Sequence, residues 1–76
     1  MASYTFNQIR TVLSRLNFEK IRLKKHETWR KVLPNGTLLR VRISHRHKRD
    51  IQNWLFYEML RQAGIDEDEF IRVWRK

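Results

Sequence analysis

The order of hydrophobic periods along the chain predicts an α+β fold of the order αβββα: a three-stranded antiparallel sheet with helices on one face and a short extra C-terminal helix. Three observations predict it. Apolar residues recur at helical spacing behind a capping box near the start, and alternate by twos through the middle around a Pro-Asn-Gly turn. They then return to helical spacing in a segment that ends at a glycine. The 76 residues are read as one domain, 1–76, since a chain of this size buries only about 60% of its unfolded surface and has one core to offer.

Thr5, Phe6, Asn7 and Gln8 fit a capping box, with Tyr4 and Ile9 placed as a hydrophobic staple. Phe6, Ile9, Val12, Leu13 and Leu16 then share a helical face, so the first helix is expected over Phe6 to Asn17. From Phe18 the period changes. Ile21 and Leu23 alternate with Lys20 and Arg22 in a first strand, and His26 to Leu33 favours a second. Pro34, Asn35 and Gly36 supply a turn, Pro by presetting φ and Asn-Gly by tolerating positive φ, and lead into a third strand over residues 37–44. In that strand Leu39, Val41 and Ile43 lie on one face and Arg40, Arg42 and Ser44 on the other, which predicts a buried side and a cationic side.

Residues 53–64 read as the second helix, offering Leu55, Met59 and Leu60 for burial, with Gly64 at its C-terminal stop. Asp66, Glu67, Asp68 and Glu69 open a short closing helix, where the helix dipole favours carboxylates, and Ile71 and Trp74 follow. Trp29 and Trp54 are expected in the core. Phe56 and Tyr57 cannot both face inward with Leu55 and Leu60, because consecutive helical positions diverge by about 100°, so one of them is expected against the closing helix or a partner.

Charge narrows the function. Seventeen Lys and Arg against eight Asp and Glu give a formal net charge of +9. Residues 19–49 hold eleven of the cations and two Glu, and therefore the whole excess, while the flanking regions balance. A polyanion partner, RNA above all, is expected on the strands. A membrane-surface protein would carry its cations on an amphipathic helix, and a helix-turn-helix made of the last two helices would present four carboxylates to phosphate. No stretch approaches the length of a membrane span, the N-terminal segment lacks the pattern of a secretory leader, and there is no cysteine. These features fit the cytoplasm.

The element order and the basic sheet resemble the double-stranded RNA-binding fold, and three segments resemble the HicA family of toxin ribonucleases more narrowly. They are Ile21-Arg22-Leu23-Lys24-Lys25-His26, then Pro34-Asn35-Gly36 with the following strand and His-containing loop up to Ile51, and Met59 to Ile65 followed by Glu69-Phe70. Together they cover nearly the whole chain. The resemblance implies an mRNA-cleaving toxin of a toxin–antitoxin pair, metal-independent and without cofactor, held inactive by a HicB-like antitoxin that masks the cationic sheet. It assigns the catalytic role to His26. Small Gly and Ser residues usual before the family's His are Leu23, Lys24 and Lys25 here, and a non-enzymatic RNA-binding module stands as the alternative.

The chemistry is consistent with that assignment. RNA cleavage takes a proton from the 2′-hydroxyl as it attacks phosphorus and gives one to the departing 5′-oxygen, work suited to an imidazole. Counting by twos sets His26 beside Thr28 and Arg30, on the side of Arg40 and Arg42. RNA contacts are expected from Lys24, Lys25, Arg30, Arg40, Arg42, Arg46 and Lys48. His45 and His47 are read as phosphate contacts ahead of a second catalytic proton carrier, and that ahead of a metal site. With His26 they would make a three-imidazole metal site, but no carboxylate or thiolate joins them.

Overall fold

The computed structural model describes residues 4–22, 26–44 and 51–76. The element order is α1 (Phe6–Arg15), β1 (Glu19–Arg22), β2 (His26–Val32), β3 (Leu38–Ser44), α2 (Asn53–Ala63) and α3 (Glu67–Trp74). The strands form one antiparallel sheet in the order β1-β2-β3, which is the α+β architecture that the periodicities predict.

The capping box forms: Gln8 N–H donates to Thr5 Oγ1 at 3.2 Å, and Thr5 N–H donates to Gln8 Oε1 at 2.7 Å. α1 ends two residues before the expected stop because Asn17 takes positive φ, +70°. Phe18 N–H then folds back to Leu13 O and Asn17 N–H to Ser14 O, a left-handed helix terminus in which Asn replaces the usual Gly. Gly64, at φ +75°, ends α2 in the same conformation. At the hairpin, Gly36 N–H donates to Leu33 O and Thr37 N–H to Asn35 Oδ1, with Gly36 at φ +89°, which pairs Val32 with Leu38 and sets the register of β2 on β3.

Phe6, Ile9, Val12 and Leu13 of α1, Trp29, Val41 and Ile43 of the sheet, Phe56, Met59, Leu60 and Ala63 of α2, and Phe70 and Val73 of α3 form one buried cluster. All three helices thus cover the same side of the sheet. Tyr4 stacks on Phe56 at 4.5 Å between ring centroids and meets Phe70 edge-on at 4.9 Å, fastening the segment before α1 to α2 and α3.

Several expected core positions are corrected. Trp54 is 68% exposed, because it lies in the first turn of α2 beyond the edge of the packed layer, where its Nε1–H donates to Gln52 Oε1. Phe56 is the buried aromatic of α2, and Leu55 packs only partly against the core. Tyr57, one position on, turns to α3 and donates to Glu67 Oε1 at 2.9 Å. In α3 the buried pair is Phe70 and Val73. Trp74 lies outside the core, under the Arg15 guanidinium. Pairing with β2 sets the phase of β1. Ile21 pairs with Thr28 and Lys20 with Trp29, so Ile21 shares the open face, and Lys20, exposed, falls on the helix side at the edge of the sheet.

A buried ion pair ties α1 to β2. Glu27, 6% exposed, accepts from Arg10 Nε at 3.0 and 3.1 Å and from Trp29 Nε1 at 2.9 Å. Burial by itself raises the pKa of the Glu27 carboxyl. The hydrogen bonds from Trp29 and Arg10, with the charges of Arg10 and Lys20, outweigh that and hold it below its ordinary value. A carboxylate with a lowered folded-state pKa stabilises the fold fully above the unfolded value, about 4.3. That contribution is lost as pH falls through the folded value. Glu27→Gln, which keeps an acceptor for Trp29 but loses the charge, is expected to cost about 2 kcal/mol at neutral pH. In denaturant titrations across pH, the gap between variant and native protein is expected to close on acidification below about 4.3; a gap independent of pH contradicts this account.

Candidate nucleic-acid interface

Because the side chains of a strand alternate, the register that buries Glu27, Trp29, Val41 and Ile43 turns the intervening residues to the uncovered face. His26 pairs with Ser44, Thr28 with Arg42, Arg30 with Arg40, and Val32 with Leu38. From β1, Ile21 extends the Thr28 row and Glu19 the Arg30 row. The sequence-predicted residues His26, Arg30, Arg40 and Arg42 thus share one face. Lys24, Lys25, His45, Arg46, His47 and Lys48 lie outside the described residues.

The cations of this face differ in their surroundings. Arg30 Nη2 is 3.2 Å from Glu19 Oε1, an exposed pair that partly occupies its charge. Arg40 and Arg42 are exposed and have no ion-pair partner among the described residues. Arg40 also lies directly opposite Arg30, a like-charge pairing that weakens a sheet unless something else takes up the charge. His26, half-buried at the start of β2, is the diagonal neighbour of Arg42, a spacing of about 7–8 Å that long side chains bridge. One phosphodiester can therefore meet the imidazole and a guanidinium together.

Three features of this surface escaped the sequence reading. Glu19 tempers Arg30. Val32 and Leu38, 64% and 43% exposed, give the face an apolar end near the hairpin. Gln62 of α2 joins Thr28, Arg40 and Arg42 around an open depression of about 410 Å³. The first two were available by counting twos from the Pro-Asn-Gly turn; the third required knowing where the end of α2 meets the sheet.

If this face holds RNA, Arg40→Ala is expected to weaken binding and to reduce the slope of log affinity against log salt by about 1. Arg30→Ala is expected to have a smaller effect, and Glu19→Gln to tighten binding by freeing Arg30. Fluorescence-anisotropy titrations over a salt series check the order, and equal losses for the two Arg variants contradict it. Comparison of the chain with protein-family models, with curated proteins and with solved structures finds no match, so the functional reading rests on the chemistry of this face and on the sequence resemblance.

Proposed function

We propose that this protein is a metal-independent endoribonuclease acting on single-stranded mRNA laid across the open face of the sheet, with His26 as the catalytic residue. We further propose that it is a HicA-like toxin of the cytoplasm, neutralised by a HicB-like antitoxin that covers the same face. The observation that carries the reading is the shared face of His26, Thr28, Arg30, Arg40 and Arg42. On it a proton-transferring group adjoins exposed guanidiniums that have no ion-pair partner among the described residues, at Arg40 and Arg42.

The chemistry follows from that neighbourhood. His26 takes the proton of a 2′-hydroxyl as its oxygen attacks the adjacent phosphorus. The bond from phosphorus to the 5′-oxygen breaks and that oxygen takes a proton from water, leaving a 2′,3′-cyclic phosphate on one product and a 5′-hydroxyl on the other, while the His26 imidazolium returns its proton to the solvent. Arg42, diagonal to His26, offsets the charge gathering on the non-bridging oxygens. Arg40 and Arg30 hold the neighbouring phosphate, and Val32 with Leu38 offers an apolar seat for a base. Lys24, Lys25, Arg46 and Lys48 are proposed as further phosphate contacts.

The second reading is an RNA-binding module that does not cut, and it is favoured by Leu23, Lys24 and Lys25 standing where the resembled family has small residues. One experiment separates the two. Purified protein in EDTA is expected to cleave single-stranded RNA into products with cyclic-phosphate ends. His26→Ala is expected to lower the rate by about 100-fold or more while RNA affinity stays nearly constant. Cleavage that survives the substitution overturns the role of His26, and binding without cleavage by either protein leaves the binding module.

A further inference from the structure

Gln62 is the penultimate residue of α2, and it lines the depression with Thr28, Arg40 and Arg42. Its carboxamide nitrogen donates to Glu58 Oε2 at 3.3 Å. That bond fixes the orientation of the amide, since exchanging its ends would set a carbonyl against a carboxylate. The oxygen, Oε1, is then a buried acceptor with no hydrogen-bond partner among the described residues. Such an orphan is costly, and the residue that carries it lines the depression with two arginines.

Those groups define what fits. A bare phosphate satisfies Arg40 and Arg42 but brings only further acceptors to Gln62. The complementary ligand carries acceptors on one side and an N–H donor on the other. Among the bases, guanine has paired acceptors, N7 and O6, matched to a guanidinium fork, and paired donors, N1–H and the 2-amino group, on the adjoining edge. Adenine sets a donor next to the acceptor that an Arg would read, cytosine adjoins its acceptor pair N3 and O2 with one amino group in place of guanine's two donors, and uracil has a single N–H between two carbonyls. A volume of about 410 Å³ lies within the range of small-ligand sites. Since Oε1 is closed to solvent, seating a base entails side-chain movement.

We propose that this depression is a base-reading subsite in the middle rows of the face, in which Arg40 turns from the phosphate to O6 and N7 of a guanine and Gln62 Oε1 accepts from its N–H edge, while Arg42 keeps its place at the scissile phosphate. The proposal rests on the reading of the sheet as an RNA surface and adds to it a sequence preference set from α2. Gln62 is a specificity-determining residue here and takes no part in the bond-breaking step.

The test is a set of NMR titrations of the protein with GMP, AMP, CMP and UMP, beside anisotropy with an uncleavable 2′-fluoro oligouridine. GMP is expected to bind about tenfold more tightly than UMP, the discrimination of one good base contact, and to shift the Gln62 carboxamide and the Arg40 Nε–H signals. Gln62→Met, similar in shape but without the acceptor, is expected to remove the GMP advantage and leave the oligouridine affinity unchanged. Equal binding of the four nucleotides, or a GMP preference that survives Gln62→Met, overturns the subsite while leaving the RNA surface standing. Failure to bind oligouridine as well would overturn the RNA reading itself.

Discussion

The pairing of β2 with β3 is the constraint on which the rest of the molecule depends. Side chains alternate across a sheet, so a slip of β2 by one residue would turn His26, Thr28 and Arg30 to the core and Glu27 and Trp29 to the open face. The Pro34-Asn35-Gly36 turn fixes the register at one end. At the other, Glu27, the residue after His26, is held among buried groups by Arg10 and Trp29. A buried carboxylate with two specific donors has one satisfactory position, and that position points the preceding residue at the open face. Core and candidate site are thus two faces of one pairing.

The electrostatics of the open face run against what stability alone would select. Arg30 opposite Arg40 is unfavourable in a sheet, and Glu19 relieves only the Arg30 side. Arg42, opposite Thr28, has no carboxylate beside it among the described residues. Leaving guanidiniums in that state costs little when an anion is to be bound and gains nothing otherwise, and the proposed RNA surface is built on that asymmetry. On the proposed reading, the apolar Val32 and Leu38 pair at one end and the depression lined by Gln62 near the middle are where an unpaired RNA strand would find contacts that bare phosphate would not.

Much of this was legible in the sequence because it depends on local chemistry. The capping box, the hairpin turn, Gly64 and the acidic start of α3 each need only neighbouring residues, and the shared face of His26, Arg30, Arg40 and Arg42 follows from a period of two. What was not legible depends on which neighbour covers which side chain. Trp54 looked like core by its size but lies where no second layer reaches it. The face taken by Ile21 was not legible either, because β1 is a short edge strand whose phase is set by its pairing with β2. Gln62, inside a helix, gave no sign of facing the sheet's depression, and Glu27 read as one more charge in a basic strand.

The most direct test of the central claim is chemical-shift mapping of the protein with a short uncleavable single-stranded RNA. The account predicts that the largest shifts fall on His26, Thr28, Arg40 and Arg42, with the core-facing Trp29 and Val41 following weakly and the exposed helix residues Trp54, Tyr57 and Trp74 unmoved. Shifts concentrated on those helix aromatics, with the open face of the sheet silent, would contradict it.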